Sequence, residues 1–66
     1  MTIELMNVRF MAELRLYVAL CRLPRANLGA LAKEYYAALD ALERECRRFG
    51  FDSAACYTFA AERVDE

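Results

Sequence analysis

The chain has 66 residues, of which 59% are hydrophobic and 29% charged, and nine basic side chains face ten acidic ones for a net charge of −1. One domain is all this length allows: a domain of about 60 residues buries only about 60% of the surface its unfolded chain exposes, so such scaffolds lean on disulfides, a metal or association. The apolar excess over the roughly 45–50% of ordinary domains excludes a disordered chain and suits one that buries surface against a partner.

Balanced charge weighs against a strong grip on a phosphate backbone, so nucleic acid is not the expected partner. No run of about 18–20 residues is free of charge, so no membrane span is expected. Met1–Thr2–Ile3–Glu4 lacks the basic region of a secretory signal. The cysteines, Cys21, Cys46 and Cys56, are odd in number and never at C-x-x-C spacing. Together these features predict a reduced, cytoplasmic chain whose thiols pack as small hydrophobes. Without histidine or a cysteine pair, no metal site and no cofactor are expected.

The first predicted helix spans about residues 2–22, ended by Pro24, which forces its predecessor out of the helical region. At about 100° per residue its apolar residues fall on two stripes. Ile3, Met6, Phe10, Leu14, Tyr17 and Cys21 form one; Leu5, Val8, Ala12, Leu16, Ala19 and Leu23 form the other, nearly opposite. Glu4, Asn7, Arg15 and Arg22 separate them on one side, Arg9 and Glu13 on the other. A surface helix ordinarily carries one stripe of about 100°, so this one needs neighbours on both sides. One of them is expected from another molecule.

After the short connection Leu23–Ala26, Asn27 is the expected cap of a second helix over about residues 28–49. Connections of this length join antiparallel neighbours. Leu28, Ala32, Tyr35, Leu39, Leu42, Cys46 and Phe49 alternate spacings of four and three, a coiled-coil-like seam. Asp40–Arg44 and Glu43–Arg47 sit at i,i+4 on its polar face in the favourable order. Arg47, Arg48 and then Gly50 signal its end, with Phe51 and Cys46 as the apolar clasp of a Schellman motif. Asp52 or Ser53 is expected to cap a third helix over about residues 53–64, whose apolar face is Tyr57, Ala60, Ala61 and Val64 with Phe59 to the side. Val64–Asp65–Glu66 is read as a fraying end. The fold class is therefore all-α: an antiparallel helical hairpin plus a short third helix in one domain, associating into a bundle.

In that hairpin Cys21 and Cys46 lie too far apart to bridge, whereas Cys46 and Cys56 flank the Gly50 turn and could approach. Catalytic chemistry is sparse. No histidine supplies a base near pH 7, and Gly29 and Gly50 stand alone rather than in a phosphate loop. Cys56, in a first helical turn where the dipole could lower its pKa, is the one candidate reactive thiol. Core packing is favoured for it, and no enzyme is expected. Tyr36 points away from the heptad seam, where an exposed tyrosine often anchors a partner. Arg15, Arg22 and Arg25 lie within about 80° on one seam at 100° per residue and could meet an acidic partner or a phosphate.

The run Cys56–Tyr57–Thr58–Phe59–Ala60–Ala61 with Asp65–Glu66 resembles an aromatic-and-alanine helix of the DotU/TssL secretion proteins. Tyr57 stands one residue too far from Asp65 for that pattern, and Glu62–Arg63 fall where it has apolar residues, so no expectation is drawn from the resemblance. The favoured function is protein binding by a small non-enzymatic adaptor, chaperone or inhibitor, a homodimer, with Leu5, Val8, Ala12, Leu16, Leu23 and Tyr36 at its interfaces and Arg15, Arg22 and Arg25 as charged contacts. Small secretion co-chaperones and phage-encoded inhibitors share this build by analogy, which would make the source bacterial or phage-like. The alternative is a small DNA-binding regulator working as a dimer.

Overall fold

The computed structural model describes residues 1–64; the expectation for Asp65 and Glu66 lies outside them. Three helices occupy the chain in order: α1 Ile3–Cys21, α2 Leu28–Arg48 and α3 Ser53–Glu62. The expected spans end one or two residues farther out because the terminal residues are caps. The Thr2 side chain accepts from the Leu5 amide, Asn27 from Ala30, and Asp52 from Ala54 and Ala55, which satisfies amides that lack helical partners. Arg22, Phe49 and Arg63 close the helices at the other end.

The Gly50 turn follows its sequence signal in detail. Gly50 has φ 79°, its amide donates to the Arg47 carbonyl at 3.0 Å, and the Phe51 amide donates to Cys46 at 3.1 Å. These are the two bonds of a Schellman motif. The other turn uses Arg25, at φ 63°, a left-handed conformation that costs a non-glycine residue roughly 1–2 kcal/mol.

α1 is the hub. It packs closely on both α2 and α3, which touch one another sparingly. Arg9 and Glu45 pair at 2.7 Å near one end of the α1/α2 hairpin, and the rings of Tyr17 and Tyr35 stack at 4.2 Å nearer the other. Advancing along α1 while retreating along α2, these two contacts fix the antiparallel register. The core is Met6, Phe10 and Leu14 from α1, Leu39, Leu42 and Cys46 from α2, and Cys56 and Ala60 from α3. All eight are apolar, and no charged or polar residue among those described is buried.

Three details differ from expectation. The heptad seam buries Leu39, Leu42 and Cys46, while Leu28 and Phe49 at its two ends are exposed. α1 ends at Cys21, so little of it stands opposite Leu28, and Phe49 is the cap beyond the last turn, stacked on Phe51 at 6.4 Å. α3 is also rotated from the face read in the sequence. Cys56 and Ala60 point inward while Tyr57 and Ala61 are exposed, because the Schellman turn brings Cys56 directly onto Cys46. Finally, of the two i,i+4 pairs, Asp40–Arg44 forms and Glu43–Arg47 does not appear among the described pairs.

Candidate functional site

The two stripes of α1 have opposite fates. Met6, Phe10 and Leu14 of the first are buried and Tyr17 and Cys21 half-buried, whereas Ile3, in the opening turn, is exposed. Every member of the second is exposed: Leu5, Val8, Leu16 and Leu23 retain 50–56% of their surface, and Ala12 and Ala19 are exposed with them. The sequence leaves open that α3 covers part of this stripe, but α3 lies on another flank of α1. There Met11 packs against the core, and Arg15 donates to the Arg63 carbonyl at 3.2 Å. A row of large aliphatic side chains along a whole helix, rather than scattered singly, is the pattern of an interaction face.

That face continues onto α2. A groove of about 220 Å³ beside the stripe is lined by Leu16, Leu20, Leu31 and Ala38 together with Tyr17, Tyr35, Glu13 and Glu34. A second, of about 270 Å³, follows along Ala12, Ala38 and Ala41 and ends at the Arg9–Glu45 pair. The guanidinium of Arg9 holds the Glu45 carboxylate below its ordinary range and is itself raised by that bond. Leu20, Leu31, Ala38 and Ala41 were not among the predicted interface residues. The i+3 and i+4 steps from Leu31 to Ala41 carry a signal for them, but next to the regular heptad seam it is easily read as filler.

Tyr36 is the most exposed of the large hydrophobic residues described, at 66%. It stands over a different groove, between α2 and α3, with Leu39, Glu43 and Tyr57. Its ring lies 5.3 Å from Tyr35, whose hydroxyl is raised above the ordinary tyrosine range by burial first and by Tyr57 second. Tyr36 lines this α2/α3 groove and neither of the grooves beside the α1 stripe.

The three arginines do not form one patch. Arg15 is turned toward α3 by its bond to Arg63. Arg22 is the exposed cap of α1. Arg25 lies in the turn, beyond the end of α1, so the helical angle that placed it with the others does not apply.

The thiol chemistry expected least is opposed by the geometry. Cys46 and Cys56 are buried, with their sulfurs 3.8 Å apart, and Cys21 is half-buried near the turn. Burial pushes the Cys56 thiol up to about 11 from an ordinary 9.0, with its contact to Cys46 the next contribution. A raised folded pKa favours the neutral thiol. Its stabilisation is therefore complete below about pH 9 and is lost as pH climbs through about 11. Melting temperatures across that window should fall more steeply for wild type than for Cys56→Ala. Equal slopes would show that Cys56 ionises as freely folded as unfolded.

Among the described residues no three acidic or cysteine side chains are grouped to hold a metal, and no helix is long and apolar enough to cross a membrane. Comparison with protein-family models, curated proteins and solved structures finds no match to the chain.

Proposed function

We propose that this chain is a non-enzymatic protein-binding module, a dimer that serves as adaptor, chaperone or inhibitor of a larger protein in the cytoplasm. The supporting observation is the unpartnered stripe Leu5, Val8, Ala12, Leu16, Ala19 and Leu23 on a helix whose opposite stripe already fills the core. A folded chain of this size loses little stability from such a row, since surface substitutions usually change it by less than about 0.5 kcal/mol. Folding alone therefore does not require it, and binding gives it a use.

A photo-crosslinking residue placed at position 16, with position 33 on the polar face of α2 as control, tests the reading in cells. Adducts are expected from position 16 and not from Lys33, which is also exposed. Covalent products of twice the chain mass report self-association, and heavier ones a different protein. A folded chain that gives no more adduct at 16 than at 33 would overturn the proposal.

A further inference from the structure

We infer that the occupant of the α1 stripe is a second copy of this chain, set antiparallel across a two-fold axis near Leu14. This rests on the protein-binding reading and names the partner at that face. The stripe occupies positions 5, 8, 12, 16, 19 and 23, and reversing the direction about position 14 returns each position to within one residue of another in the set. A two-fold contact is isologous: if one residue meets another, the second meets the first. Pairing each position with the one whose number completes about 28 sets Leu5 on Leu23 of the second copy and Ala12 on Leu16, and a shift of about one places Val8 on Ala19. The Ala12–Leu16 and Val8–Ala19 pairs then set large side chains on small ones, with Leu5 on Leu23 at each end. A parallel pairing would instead set Leu16 on Leu16 and Ala12 on Ala12.

Charge supports the same arrangement. A two-fold axis perpendicular to both helices keeps each flank of the stripe against the same flank of the copy. Glu4 and Arg22 share one flank, at opposite ends of α1, and both are exposed. The antiparallel register therefore brings Glu4 to Arg22 of the copy, twice. On the same flank Arg15, near the axis, is drawn aside to the Arg63 carbonyl, and on the other flank Arg9 is already paired with Glu45.

Extent is adequate once α2 contributes. A stable interface buries at least about 600 Å² per partner, roughly an eighth of this chain's 4668 Å². The 19 residues of α1 give a strip about 28 Å long, and the Ala12–Ala38–Ala41 groove widens it. The dimer has α1 and its copy at the centre, the two α2 helices on one side and the two α3 helices on the other.

The test is disulfide trapping on a Cys21→Ser background, combined with sedimentation over a concentration series. Positions 5 and 23 lie 18 residues apart on and just past one helix, far too distant to bridge within a chain. Leu5→Cys with Leu23→Cys is expected to give a covalent dimer under mild oxidation, and either substitution alone to give none. Leu16→Glu is expected to raise the dimer Kd by at least about a hundredfold while helical content is kept, by putting a charge in an apolar contact. Glu4→Arg is expected to weaken the dimer about tenfold, and Glu4→Arg with Arg22→Glu to restore it. Trapping through a single cysteine, a wild-type monomer at the highest concentration, or an unchanged mass for Leu16→Glu would each overturn the antiparallel self-interface. A monomer that still crosslinks from position 16 to a heavier protein ends this inference and leaves the protein-binding reading standing. A monomer with no adduct at all ends both.

Discussion

Phe10→Ala is expected to remove about a third of the chain's stability or more. Phe10 is fully buried at the centre of the cluster shared by all three helices. Truncating a buried phenylalanine costs about 3–5 kcal/mol, the lost transfer term plus the cavity left behind. At about 0.05–0.15 kcal/mol per residue, a chain this short has total stability on the order of 3–10 kcal/mol, so the loss consumes a third of it or more. Each kcal/mol shifts Tm by about 4–8 °C in a domain of this size, and thermal denaturation by circular dichroism should show a fall of at least about 12 °C. Phe10→Leu, which keeps most of the volume, should lose less, and Val8→Ala on the exposed stripe should fall within about 0.5 kcal/mol of wild type when unfolding is measured on the monomer. A Phe10→Ala chain melting within a few degrees of wild type would show that the core is not organised around this side chain.

Ala60→Leu is the second large effect, and it acts by addition. Ala60 is fully buried on α3, among the core residues contributed by α1 and α2. Extra methylenes in a filled core typically cost about 1–3 kcal/mol. α3 has only ten residues, below the roughly 12–15 at which isolated helices become even marginal in water, so its helicity depends on docking. The expected outcome is local: α3 detaches and unwinds, helical signal falls, and Cys56 becomes open to alkylation. The neighbouring Ala61→Leu, on the exposed side of α3, should do none of this. Equal alkylation rates in the two variants would mean that α3 does not pack by the face described.

The contrast between positions 60 and 61 shows where sequence reading runs out. Helix existence and helix ends are local properties. Asn27 and Asp52 cap because their side chains reach amides two or three residues ahead, and Gly50 ends α2 because a left-handed residue is required there; no distant contact enters. The heptad seam and the two stripes of α1 are periodicities of a single helix, so they are legible as well, and with them the surplus apolar face on which the functional reading rests. The rotation of α3 is of a different kind. Its alanine-rich sequence offers several nearly equivalent faces, and the one chosen depends on where the Gly50 turn sets Cys56 against Cys46.

The same division runs through the candidate site. The residues of the α1 stripe were readable because five of them lie on one helix and Leu23 follows just past its end, whereas Leu20, Leu31, Ala38 and Ala41 line a groove that exists only where two helices meet. Arg25 was grouped with Arg15 and Arg22 by a helical angle that ends at Cys21. By itself, then, the sequence determined three helices, their caps, and a first helix with more apolar surface than one neighbour covers, because each follows from interactions within a few residues. Which flank of α1 receives α3 and how the open face extends onto α2 emerge only from the packing, because they depend on how rigid helices share one small core.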